Sequence, residues 1–146
     1  MAHNKLVATV VTKSVVMAIG AVCVSWANIA SAAPLADASG SWKIIGNQSA
    51  GVLTITQGSS SGACKPVSGT LYGDSQVVGY YCPATGRLAF TRQINGRTAA
   101  AQMWVGNVSD IAQGQPSRMG GTFHAVNTGA GSGILGEYHF QGEKQP

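Results

Sequence analysis

From Gly40 to Gln141 the chain runs as short stretches of β-branched and aromatic residues, each bounded by Gly, Asn, Ser, Pro or Asp. That punctuation reads as strands separated by turns. It predicts eight strands: Ser41–Gly46, Gly51–Gln57, Lys65–Tyr72, Gln76–Cys82, Arg87–Gln93, Ala99–Ser109, Met119–Val126 and Ile134–Gln141. Several of them alternate with a period of two. Leu53 and Ile55 share one face while Thr54 and Thr56 share the other; Leu88 and Phe90 oppose Ala89 and Thr91. In the last strand Ile134, Gly136, Tyr138 and Phe140 oppose Leu135, Glu137, His139 and Gln141. One apolar face and one polar face is the signature of a half-buried antiparallel strand. No stretch after residue 33 carries a helical period. The longest gap between strands, Ile111–Arg118, is polar and contains Pro116.

Gly73-Asp74-Ser75, Pro83-Ala84-Thr85-Gly86 and Asn95-Gly96 read as short hairpin connections, the last as a type I′ turn. Strands linked this tightly form an up-and-down meander, which leaves two open edges unless the sheet closes on itself. Eight strands close into a barrel whose interior is either filled by side chains or holds one small ligand. The expected fold is therefore all-β: an eight-stranded antiparallel meander closed into a small β-barrel. Gly69, Gly79, Gly106, Gly120, Gly121 and Gly136 suit the bends and close approaches of a strongly curved sheet. The small strand residues Gly79, Ala89, Gly106 and Gly121 are the sequence's hint of internal space.

The N-terminal part reads differently. Lys5 and Lys13 give a positive start, Val15 to Val24 an uncharged apolar run, and Ala30-Ser31-Ala32 a small-residue cleavage signature. This is the pattern of a secretory signal peptide over residues 1–32, cut before Ala33. The apolar run falls short of the roughly 20 residues needed to span a bilayer. Cys23 follows Val22 rather than a small residue, which speaks against lipid attachment. Residues 33–39 then form a flexible lead, and 40–146 a single domain.

Export changes the picture of charge and cysteine. The whole chain carries a formal +4, but beyond residue 32 seven basic side chains face five acidic ones, a balance of +2. The basic residues are scattered singly, so nothing reads as a nucleic-acid footprint. Two cysteines remain, Cys64 and Cys82, and an even count in an exported chain predicts a disulfide. Such a bridge contributes about 3 kcal/mol in the chain-entropy view. A turn centred near Asp74-Ser75 sets Cys82 opposite roughly Val67, so the bridge is expected to reach Cys64 through a bulge or strand end near Pro66. The expected location is periplasmic or secreted, bacterial in style, with no membrane span after cleavage.

Gly40-Ser41-Trp42 opens the first strand as the G-x-W of the avidin and lipocalin superfamily does. The Gly51–Gln57 strand, Ser68-Gly69-Thr70-Leu71-Tyr72 and Gln102-Met103-Trp104 are similar to avidin strands in type and order. The resemblance implies a small barrel whose bottom is closed by Trp42. It does not extend to biotin: the Asn that biotin binders place two residues after that Trp is Ile44 here. Only Trp42 and Trp104 remain beyond the leader to wall a ligand.

The residues expected to line a binding interior are Trp42, Leu53, Phe90, Trp104, Phe123 and Tyr138, with plain core packing as the competing reading. No cofactor is implied. His124 and His139 face outward by alternation and lack a third metal ligand. Asp74 and Asp110 sit in apparent turns, and Glu137 shares the outward face of His139, so no catalytic set assembles. Tyr80-Tyr81 sends one ring inward and one outward, the latter near Arg87 or Arg92 as a contact patch or a cross-strand pair. Asn47-Gln48-Ser49 and Asn107-Val108-Ser109 match the glycosylation sequon but read as bare polar segments. The expected function is an exported, non-enzymatic binding protein for a small hydrophobic or amphipathic ligand. The alternatives are an inhibitor of a protease or lysozyme, acting through Gly58–Ala63, Ile111–Arg118 or Ala33–Ser39, and a structural envelope domain. Oligomeric state stays open.

Overall fold

The computed structural model describes residues 33–94, 101–110, 114–127 and 136–146. The segment read as a signal peptide, the expected Asn95-Gly96 turn, residues 111–113 and the Ile134-Leu135 start of the last expected strand lie outside the described residues. The described elements are all strands: β1 (Ala33–Pro34), β2 (Gly40–Gly46), β3 (Ser49–Gln57), β4 (Lys65–Leu71), β5 (Ser75–Cys82), β6 (Arg87–Gln93), β7 (Ala101–Asp110), β8 (Arg118–Asn127) and β9 (Gly136–Lys144). Each of β2 to β9 pairs antiparallel with its neighbour in sequence, and β9 returns to β2 from Trp42↔Lys144 to Gly46↔Phe140. The eight strands thus close into a barrel. A ninth piece, β1, adds to β7 with Ala33 opposite Asp110 and Pro34 opposite Ser109.

Alternation decides the inside. Along β3 Leu53 and Ile55 are buried while Val52, Thr54 and Thr56 are exposed, and along β6 Leu88 and Phe90 are buried against exposed Arg87 and Thr91. On β9 Phe140 and Gly142 are buried, and Glu137, His139 and Gln141 exposed. Removing these inward apolar side chains from water at about 25 cal/mol per Å² is the main favourable term in the fold. The strand glycines act otherwise than as spacers. A Cβ on Gly79 would overlap the Ala89 carbonyl and the Phe90 backbone, and one on Gly121 the Val105 carbonyl. At Gly106 it would meet the Phe140 ring and the Gly120 carbonyl. Neighbouring backbones and rings occupy the room these residues were expected to leave.

Two turns set the register differently from expectation. Asn47 and Gln48 both take positive φ, 43° and 69°, so a two-residue hairpin joins Gly46 to Ser49 and starts β3 two residues early. The β4–β5 turn is centred on Gly73 (φ 87°), not on Asp74-Ser75, and Leu71 pairs with Ser75. Val67 therefore faces Gly79, and Lys65 faces Tyr81. One step further, Cys64 falls opposite Cys82 and bridges it with a Cα–Cα distance of 4.0 Å. No bulge near Pro66 is needed.

The lead has specific partners. Trp42 Nε1 donates to the Ala38 carbonyl at 3.0 Å, and Gln57 Oε1 accepts from Ala38 N at 3.2 Å. Gln57 N donates to Ser39 Oγ at 2.9 Å, and the Tyr81 hydroxyl donates to the Leu35 carbonyl. Ala38, Trp42 and Tyr81 are fully buried. One end of the barrel, where the chain enters and the β3–β4 and β5–β6 connections lie, is closed by this segment over Trp42. The other end carries the β2–β3 and β4–β5 turns.

Candidate functional site: a polar cleft in the barrel mouth

Of the six expected interior residues, Trp42, Leu53, Phe90, Trp104 and Phe123 are buried, at most 5% exposed, and Tyr138 is half-buried against the same cluster. They divide by depth. Trp42 and Leu53 pair across β2 and β3 in the packed body, whereas Trp104, Phe123 and Tyr138 reach the end opposite the lead. The rings fill the barrel axis. Trp104 stacks on Phe123 at 4.1 Å between centroids and on Phe90 at 5.6 Å, Phe140 tilts against it at 4.9 Å, and Phe123 stacks on Tyr138 at 5.1 Å. The interior is a packed aromatic column rather than an open calyx.

Above this column, at the mouth, lies a half-open cleft of about 200 Å³. Trp104 and Phe123 contribute to its lining from below; Gly46, Ala125 and Tyr138 wall it; Asn47, Ser49, Tyr72, Arg92 and Gln102 complete it. The rings around it are accommodated by glycines. A Cβ on Gly46 would approach Trp104 Cη2 at 3.0 Å, Phe123 Cε1 at 3.3 Å and the Tyr72 hydroxyl at 3.3 Å. Gly51 serves Tyr72 in the same way: a Cβ there would sit inside the Tyr72 ring, so glycine lets the ring lie flat on β3. The φ of +58° at Tyr72, in the β4–β5 turn, helps turn that ring over the mouth.

The polar centre is Arg92, which the alternation Leu88-x-Phe90-x-Arg92 places on the inward face of β6. Nη1 donates to Gln102 Oε1 at 3.1 Å, and Nη2 to Ser75 Oγ at 2.9 Å. Gln102 Oε1 also accepts from Trp104 Nε1 at 3.2 Å. Ser75, fully buried, donates a hydrogen bond from its hydroxyl to Asp74 Oδ1 at 3.1 Å, so Arg92, Ser75 and Asp74 form a chain. The guanidinium carbon stands 4.7 Å over the Tyr72 ring, within cation–π range. Arg92 Nε is buried and has no hydrogen-bond partner among the described residues, a group that costs about 1–3 kcal/mol to leave unpaired. All five acidic residues are among the described residues. The ion pair there is Arg118–Glu143 at 2.8 Å, His124 stands 3.7 Å from Glu137, and no carboxylate pairs with Arg92. Burial pushes the guanidinium pKa below its ordinary value, opposed by Tyr72 and Asp74. Burial raises the Tyr72 phenol, with Arg92 pulling it back.

Sequence reasoning missed Arg92 and Gln102 because it counted basic and amide residues as surface. The signal was available: both occupy inward positions of strands whose inward neighbours are aromatic. Tyr80 and Tyr81 split as expected, Tyr80 half exposed and Tyr81 buried, but Arg92 faces inward, so it cannot share an outer patch with Tyr80. Asp110 ends β7 opposite Ala33 rather than sitting in a turn. His124 and His139 are exposed, with His139 opposite Thr122. Among the described residues no three metal-binding side chains gather.

The fold defines a small closed antiparallel barrel, plugged at one end and notched at the other. No protein-family model matches the chain, and no curated protein or solved structure matches it either. The barrel fits the avidin and lipocalin type in general shape. The disulfide suits an oxidising compartment, and among the described residues no helix is long and apolar enough to cross a membrane.

Proposed function

We propose that this chain is an exported, non-catalytic binding barrel that takes a small amphipathic ligand in the mouth cleft, related to the avidin and lipocalin barrels by its Gly40-Ser41-Trp42 opening. The observation that supports it most is the juxtaposition of an aromatic floor with a half-buried, incompletely bonded arginine in one recess. A few polar groups on an apolar bed are the ordinary make-up of a small-molecule site. The volume, about 200 Å³, lies below the roughly 300–1,000 Å³ of drug-sized sites. The ligand is accordingly small, or a larger amphiphile inserting one end. The leader sequence and the Cys64–Cys82 bridge support a periplasmic or secreted location.

Native mass spectrometry of the oxidised protein, purified from its own periplasm or medium, tests the reading. The expected result is a bound mass of a few hundred daltons that denaturation releases. A bare protein that also fails to bind any member of a small-molecule fragment set would refute it. A second reading has its own support in the packed interior and the connection Gly58–Ala63, which is fixed at its far end by the disulfide and bonded from Gly58 N to the Pro66 carbonyl at 2.8 Å. An inhibitor would present that loop, and the same spectrum would then carry a second polypeptide.

A further inference from the structure

We infer that the mouth cleft selects a ligand with a carboxylate, held by the Arg92 guanidinium while the ligand's apolar part lies on the Trp104–Phe123 floor beside Tyr138; this rests on the binding-barrel reading above. Three observations carry it. Arg92 lines the cleft, and none of the chain's five acidic side chains pairs with it. A guanidinium offers five N–H donors, but among the described residues its bonds reach one amide oxygen and one hydroxyl, and Nε has no partner. Asp74, the acidic side chain that acts on the guanidinium, is reached only through Ser75. A cation withdrawn from water without a counter-ion is unfavourable, and an anion arriving in the cleft supplies what the protein leaves out.

The charge balance also sets the kind of anion. One guanidinium, already drawn on by Asp74, matches a single negative charge and not a phosphate dianion. The apolar floor adds the second requirement, a flat or compact hydrophobic group directly attached. Gly46 and Ala125 line the cleft beside the floor, and the Tyr72 ring packs on the guanidinium from the side. A carboxylate accepts strong, charge-assisted bonds from such a group, and in a half-buried site salt weakens the attraction only in part.

The test compares two probes of equal shape, indole-3-acetate and indole-3-acetamide, with the oxidised wild-type protein by calorimetry and by the ¹⁵N resonance of Arg92 Nε. The acid is expected to bind at least tenfold more tightly than the amide and to shift that resonance. Arg92→Gln should reduce the preference to near unity, and Asp74→Asn, which removes the competing carboxylate, should raise affinity for the acid a few-fold. Equal binding of acid and amide overturns the carboxylate inference and leaves the binding barrel standing. Tighter binding of inorganic phosphate than of the acid also overturns it. Failure of both indole probes, with an unmoved Arg92 resonance at millimolar concentration, overturns the mouth cleft as the site and this inference with it. The acid–amide comparison in the wild type holds even if a variant does not fold.

Discussion

Replacing Trp104 with alanine removes the centre of the aromatic column, and its cost follows from what the ring touches. Trp104 is 1% exposed, faces Phe90, Phe123 and Phe140, and donates from Nε1 to Gln102. Truncating a buried tryptophan costs about 3–5 kcal/mol, and lost ring pairing adds about 0.5–1.5 kcal/mol per partner, only partly independent of the first figure. A loss near 5 kcal/mol is a large share of the roughly 5–15 kcal/mol that holds a domain together. Trp104→Phe separates the contributions. It keeps most stacking but loses the Nε1 bond and some area, and should cost about 1–2 kcal/mol. The assay is urea unfolding of the oxidised protein followed by far-UV circular dichroism, with Trp42 fluorescence as a second probe. Trp104→Ala costing less than about 2 kcal/mol would refute the packed column, and with it the description of the mouth cleft as a notch above a solid floor.

Two further outcomes follow from the plugged end and the hairpin. The double substitution Cys64→Ala/Cys82→Ala opens a loop of 18 residues and should lower stability by about 3 kcal/mol with the barrel retained; a change in urea midpoint equivalent to less than about 1 kcal/mol would count against it. Burial raises the Tyr81 phenol pKa, with Asp110 and Asp37 adding to the shift. Because the folded value lies above the unfolded value near 10, Tyr81's contribution is complete below that pH and is lost as pH rises through the folded value. Tyr81→Phe should therefore flatten the loss of stability between about pH 9 and 12, leaving the part due to Tyr72, whose phenol is raised in the same direction. A midpoint-versus-pH curve that superimposes on wild type would exclude Tyr81 as the group that ties Leu35 down.

Alternation alone made the barrel legible. Leu53 with Ile55, Leu88 with Phe90, and Tyr138 with Phe140 declare which face of each strand is apolar, and short Gly- and Asn-bearing turns leave consecutive strands no choice but to pair. Those signals are local, with periods of two and turns of a few residues, so one sequence displays them. The disulfide partners were legible by elimination. Their register was not, because a three-residue turn at Tyr72-Gly73-Asp74 and a two-residue turn at Asn47-Gln48 differ from their neighbours only by backbone angles. Only the closed structure decided that Gly79, Gly106 and Gly121 draw strands together while Gly46 and Gly51 clear room for rings. A glycine's role depends on what stands across from it, and that partner is distant in sequence. The same holds for the site. Arg92, Gln102, Ser75 and Tyr72 come from three strands and a turn, and none carries a motif. Their meeting at one mouth is fixed by the closure of β9 on β2 and by the shear of the pairs between, quantities that belong to the barrel and to no segment of it.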